Sequence, residues 1–234
     1  MKFLHRPYSH FRLKSGWEKR ERPHIFSPLI NDKGDLFMKH SKTLKYIAKI
    51  AVLSAVASIL MLFELPLWFA PSFYELDFSE LPILIGGFAL GPAAAVLMEL
   101  LKNLLNILMN GTDTAFVGEF ANFVTGCAFV LPAALIYKYK KSLKGAIWGL
   151  ITATLSLALV GALINYFVLI PAFSNLYGLP IESIVAMGTA VNASITDLKS
   201  LIVFAVVPFN LLKAVACSVL SLLLYKRLSK ILHI

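Results

Sequence analysis

The chain has 234 residues, 58% hydrophobic and only 15% charged, with a formal net charge of +9. A soluble domain is about 45–50% apolar and about 25% charged, so this chain carries more apolar surface than one soluble core hides. That excludes a cytosolic enzyme, a disordered chain and a nucleic-acid-binding domain as leading readings, and leaves a polytopic membrane protein.

Residues 1–37 mix eight Lys/Arg with four Asp/Glu and contain no apolar h-region. They read as a cytoplasmic, poorly ordered extension and not as a signal peptide; the membrane domain is placed at 38–234. A span needs about 20 mostly apolar residues. Residues 50–63 are uncharged and, extended back to Tyr46, make the first span. The stretch 80–110 is too long for one upright span and short for two. Gly91-Pro92 offers a break, because proline disfavours helix at the residue before it; this predicts a short second helix and a longer third. Residues 120–137 form the fourth span. Residues 145–181 form an uncharged run broken by Pro171, Gly178 and Pro180, and the last span runs from about Leu201 to Tyr225, interrupted only by Lys213.

Charge placement sets the expected orientation. Of 22 Lys+Arg, 12 lie in residues 1–49, four in Lys138–Lys144 and three after Tyr225. Basic loops stay cytoplasmic, so both termini are inside, and an even number of spans, six, satisfies every loop. The acidic residues, Asp77 and Glu80 among them, fall in or beside the outer segments. The +9 is a topology signal. The fold class is an all-α membrane protein with six transmembrane helices.

Ionisable groups within a bilayer are costly and face a cavity or a partner. On the third helix Glu99, Lys102, Asn103, Asn106 and Asn110 recur at spacings of three and four, one polar stripe on an apolar helix. Glu99 and Lys102 are either an intrahelical ion pair or cavity groups, and Asn103, Asn106 and Asn122 either interhelical glue or ligand contacts. Lys213 lies midway along its span, three residues from Asn210, with Asn165 at comparable depth; a polar cavity accounts for the three together. Many amides, few unpaired charges and nearby aromatics suit a neutral, flat, hydrogen-bonding ligand. There is no P-loop, GxSxG, HExxH or CxxC, and all five His fall outside the spans, so neither an enzyme nor a metal site is expected. On the first span Ala48, Ala51, Ala55 and Ser58 form a small-residue stripe of the kind that lets another helix approach closely; packing inside the bundle is the alternative.

Several segments then carry a family resemblance. They are Leu76-Asp77-Phe78-Ser79-Glu80-Leu81-Pro82, Gly86-Gly87-Phe88, Leu90-Gly91-Pro92, Leu101-Lys102-Asn103-Leu104-Leu105-Asn106, Glu119-Phe120-Ala121-Asn122-Phe123, Asn165 to Pro171 and Pro208 to Lys213. In this order, over about residues 46–230, they resemble the riboflavin-binding substrate-specificity (S) components of energy-coupling factor (ECF) vitamin transporters, the RibU type. The resemblance implies a six-helix S-component bundle in the cell membrane of a prokaryote that binds riboflavin from outside. It implies that Leu76, Asp77 and Phe78, in the loop Glu64–Phe78, cover the isoalloxazine ring and that Asn165 bonds the ring edge. Asn210 and Lys213 would serve the pyrimidine end or the ribityl hydroxyls, with Asn122 assisting; Lys102, Asn103 and Asn106 stand between ligand-binding and structural roles. The implied partners are an EcfT-type membrane subunit, met through Ala51 and Ala55, and two ATPases, with no nucleic acid. Riboflavin is cargo and no cofactor is expected; flavin mononucleotide stays open as a second ligand. A different S-component specificity lacks this motif set. A membrane assembly protein whose polar residues are only glue is the reading from another class.

Overall fold

The structure, a computed structural model, describes the backbone of residues 28–232 except 69 and 72, and side chains over 42–224 with the same two exceptions. The chain divides into two compact units, Met1–Lys42 and Thr43–Ile234; everything below concerns the second. Of the extension expected over 1–37, residues 1–27 lie outside the described residues, and helix α1 (Pro28–Met61) begins at Pro28.

Two two-residue strands follow, β1 (Leu65–Pro66) and β2 (Glu75–Leu76), antiparallel with Leu65 opposite Leu76 and Pro66 opposite Glu75. They clip the intervening segment into a closed loop. Next come α2 (Glu80–Leu90), α3 (Pro92–Asn110), α4 (Val117–Tyr139) and α5 (Leu143–Ile164). The expected break falls at Gly91, whose φ of 98° is open to glycine without strain, with Pro92 at the first turn of α3. A π-helical turn (Asn165–Leu169) joins α5 to α6 (Ile170–Tyr177). After α7 (Ile181–Thr189) and α8 (Leu198–Leu201), a second π-helical turn (Ile202–Val206) leads into α9 (Val207–Leu232). In both places a proline follows the widened turn by two residues, Pro171 and Pro208. Proline lacks an N–H and crowds the carbonyl four residues back. A π turn is one way a helix passes such a residue without breaking.

Among the described residues, five helical segments are long and apolar enough to cross a membrane: Lys42–Met61, Pro92–Asn110, Val117–Tyr139, Leu143–Tyr177 and Leu198–Leu224. The second helix, expected to be short and counted among the six spans, is α2, about 16 Å long at 1.5 Å per residue, half the roughly 30 Å hydrocarbon core. It is buried from Pro82 to Phe88. Burial on every face from Pro82 to Phe88 explains the uninterrupted apolar run there, with Leu81, Ala89 and Leu90 half-buried at its ends.

Two apolar clusters hold the unit together. One gathers Ile50 and Ala57 of α1, Ile83, Leu84 and Phe88 of α2, Met98, Phe129 and Val130, and Leu150, Ala214 and Cys217. The other packs Ala70, Tyr74 and Leu76 of the clipped loop on Ile170, Ile184, Ile195, Leu201 and Phe209. The second cluster fixes the loop over the helices, and the candidate site lies beside it.

Candidate functional site

A cavity of about 340 Å³ opens between the clipped loop and the helices, within the range of about 300–1,000 Å³ usual for small-molecule sites. Phe73, Tyr74, Phe129, Phe173 and Phe209 give it aromatic walls, and Asn106, Asn122, Asn165 and Asn210 give it amides. Asp77 and Lys213 also line it. Residues from seven helices and the loop, drawn from positions 61 to 213, meet here.

Asn165 and Asn210 are held in place by their own helices. The Asn165 Nδ2 donates to the Gly161 carbonyl (2.8 Å) and the Asn210 Nδ2 to the Val206 carbonyl (3.0 Å), each four residues back. The Tyr74 hydroxyl, 91 residues away, donates to Asn165 Oδ1 at 2.6 Å. An amide has two N–H groups and two lone pairs, so each asparagine keeps capacity for a ligand after these bonds are made. Gly161 is the hinge of the arrangement. Its carbonyl holds Asn165, and a Cβ at this position would stand 2.7 Å from Asn210 Nδ2, so a side chain there would displace the second amide.

The Lys213 ammonium donates to Asp77 Oδ2 at 2.7 Å, and both groups are buried. The other Asp77 oxygen accepts from the Ser79 backbone N–H at 2.8 Å. The lysine is therefore neutralised from within the chain, and the cavity presents no free cation here. Asp77 and Glu80, expected in an outer segment, are 5% and 2% exposed. The loop dips inward to reach Lys213, about midway along the span Leu198–Leu224, and irregular backbone at such depth is tolerated where protein covers it.

Behind the wall, Lys102 is completely buried between Glu80 (2.7 Å) and Glu99 (2.8 Å). The first contact is a hydrogen bond; the second is an ion pair whose angles fall outside hydrogen-bonding range, since neither Glu99 oxygen has a hydrogen-bond partner. The intrahelical pair read from sequence is thus present, and Glu80 of α2 is the partner that spacing could not reveal. Asn103 is also behind the wall: its Nδ2 donates to the Glu99 carbonyl, and its Oδ1 accepts from Asn122 at 3.1 Å. Neither Lys102 nor Asn103 lines the cavity, whereas Asn106 does.

Of the residues expected on the ligand, Asp77, Asn122, Asn165, Asn210 and Lys213 line the cavity. Leu76 and Phe78 do not; Leu76 is in the second apolar cluster and Phe78 is wedged against both. Alternation along an extended segment explains this, since Leu76 and Phe78 point opposite to Glu75 and Asp77. Tyr74, Phe73 and Gly161 were missed. Aromatics and a helical glycine carry no spacing signal of their own. On α1 the small-residue stripe divides: Ala48, Ala51 and Ala55 are exposed, while Ser58 is buried with Ser54 and Ala57. At 100° per residue Ser58 falls between Ala51 and Ser54, where the outward arc meets the inward one.

The rim is acidic. Glu64 and Glu75 lie at one side and Glu119 at the other, where Thr114 Oγ1 donates to Glu119 Oε2 at 2.8 Å. Partial burial, and then the adjacent Glu75 carboxyl, raise Glu64 from 4.5 to about 7. The closed loop thus holds a proton that an open loop releases between those values. Closure is favoured fully at the acid end and weakens as pH rises through 7. A ligand held under the loop is expected to dissociate more slowly at pH 6 than at pH 8, with Glu64→Gln slow at both. Stopped-flow dissociation rates check this, and equal rates at the two pH values in the parent chain would contradict it.

The comparisons with known proteins agree with this geometry. The family described as ECF transporter, substrate-specific component, matches residues 45–225. A riboflavin transporter RibU of Staphylococcus aureus is 39% identical over 204 residues, 87% of this chain and 98% of that protein. The riboflavin transporter FmnP of Bacillus subtilis is 31% identical over 185 residues, 79% of this chain and 92% of that protein. A solved structure of the S component of a bacterial ECF transporter superposes with a TM-score of 0.63 at 37% identity, covering 81% of this chain and 98% of that one. With its apolar spans, its buried polar cavity and a match over most of its length, the chain belongs to the membrane-embedded substrate-specific components of ECF transporters.

Proposed function

We propose that the cavity binds riboflavin taken from the outer face, and that the chain delivers it within an ATP-driven complex with an EcfT-type membrane subunit and two ATPases. The observation that carries this is a cavity in which the one facing lysine among the described residues is already paired with Asp77, so that amides and aromatic walls line it beneath the acidic rim. Such a lining matches a neutral planar ring with hydrogen-bonding edges. Relatives 39% and 31% identical to this chain are named riboflavin transporters. Asn165 and Asn210 are assigned to the polar edges of the ligand and Asn122 to a supporting contact. Phe73, Tyr74 and Phe209 are assigned to the ring face, replacing Leu76 and Phe78 in that role. Riboflavin is cargo, the chain itself performs no chemistry, and six passes place both termini in the cytoplasm, with α2 and the inward-dipping loop together making the second pass.

The test is optical. The purified protein is expected to carry a flavin absorption spectrum and to quench added riboflavin fluorescence at one ligand per chain. Asn165→Ala removes a ligand contact and strands the Tyr74 hydroxyl. The expected loss is about 1–3 kcal/mol of binding, where each 1.4 kcal/mol is about tenfold in affinity. A colourless protein that does not quench riboflavin would overturn the assignment; an unchanged affinity in Asn165→Ala would remove that residue from the site.

A further inference from the structure

A second concavity lies on the opposite half of the unit, between α5 and α9, and nothing in the flavin site uses it. It measures about 240 Å³. Ile147, Ile151 and Leu155 of α5 recur every four residues and form one wall; Val215 and Val219 of α9, again four apart, form the other. All five are exposed, so the groove faces the hydrocarbon. From Lys144 to Leu155 the helix rises about 16 Å, half of the roughly 30 Å core, which is the depth of one leaflet.

Two features distinguish this groove from an ordinary lipid-facing furrow. The first is a polar atom with no partner. Ser218 is 8% exposed, lines the groove, and its buried Oγ has no hydrogen-bond partner. An unsatisfied hydroxyl in an apolar setting carries an uncompensated desolvation cost, and an acceptor entering the groove would remove that cost. The second is charge at the groove's head. Lys144 stands three residues before Ile147 on the same face of α5, and Lys138, Lys140 and Lys141 precede it, all exposed. Ser142 caps the same helix end, its side chain accepting from the Gly145 N–H, and Lys226 and Arg227 follow in the sequence of α9.

We propose that this groove is a binding site for one anionic phospholipid. The phosphate sits against Lys141 and Lys144 at the start of α5, a glycerol ester carbonyl accepts from the Ser218 hydroxyl, and an acyl chain lies between Leu155 and Val215. A zwitterionic lipid fills the same groove but gains less from the lysines, since its headgroup carries no net charge for them to attract.

The test uses the full chain in mixed phosphatidylglycerol and phosphatidylcholine, followed by native mass spectrometry in mild detergent. One phosphatidylglycerol is expected to be retained per chain, at least about tenfold over phosphatidylcholine on the same electrostatic argument. The variant Lys141→Gln/Lys144→Gln is expected to abolish that preference while keeping flavin binding and thermal stability. Ser218→Phe, which fills the groove, is expected to lose both lipids. Equal retention of the two lipids by the parent chain overturns the proposal. So does retention that survives both variants, or a bound phosphate without its acyl chains. Because Lys141 and Lys144 are exposed, their variant tests the headgroup contact even if Ser218→Phe fails to fold.

Discussion

Lys102→Met is expected to remove the folded protein from detergent extracts altogether. The ammonium is completely buried between Glu80 and Glu99 and joins α2 to α3. Removing one partner of a buried ion pair typically costs about 3–5 kcal/mol, because the charge left behind has no water to solvate it. Here two carboxylates are left, against a total stability of about 5–15 kcal/mol for a typical domain. The cause is charge and not shape, so the neutral triple variant Lys102→Met/Glu80→Gln/Glu99→Gln is expected to recover a monodisperse protein. Size-exclusion profiles and melting temperatures of the two variants decide the point. A well-behaved Lys102→Met protein melting with the parent chain would show that the two carboxylates find other partners and that the triad is dispensable.

Ala51→Trp/Ala55→Trp is expected to abolish riboflavin uptake in cells while leaving riboflavin affinity within about twofold, the scale of surface changes of about 0.5 kcal/mol. Both alanines are exposed on α1, and the residues that pack inward are Ser54, Ala57 and Ser58. We propose that the outward alanines meet the membrane subunit of the complex, where small side chains let two helix backbones approach closely and gain dispersion contacts. Two indole rings there hold the helices apart. The readouts are flavin titration of the purified double variant, co-purification with the membrane subunit, and vitamin uptake. Uptake at the parent rate would remove this face from the interface, and a parallel loss of flavin affinity would mean that α1 also shapes the pocket.

Helix existence and the identity of the polar residues were legible in one dimension because both are local. The break at Gly91-Pro92 follows from the conformations those two residues allow, and the structure puts α2 and α3 on either side of it. The stripe from Glu99 to Asn110 follows from helical period, and its first members are indeed buried. The run Asn165 to Pro171 stands out by composition, and it coincides with a widened turn. What period cannot supply is the neighbour across the gap. Asp77 pairs with a lysine 136 positions later, and Tyr74 bonds an asparagine 91 positions later. Glu80, read as lying in or beside an outer segment, closes the buried triad with Lys102. The sequence alone determined that this chain is a bundle of apolar helices with amides and two lysines at depth, because hydropathy and spacing act within a single helix. Tertiary structure alone decided which lysine meets which carboxylate, that Leu76 and Phe78 turn to the core while Asp77 faces the cavity, and that Gly161 must lack a side chain, because each depends on a surface brought against it by another part of the chain.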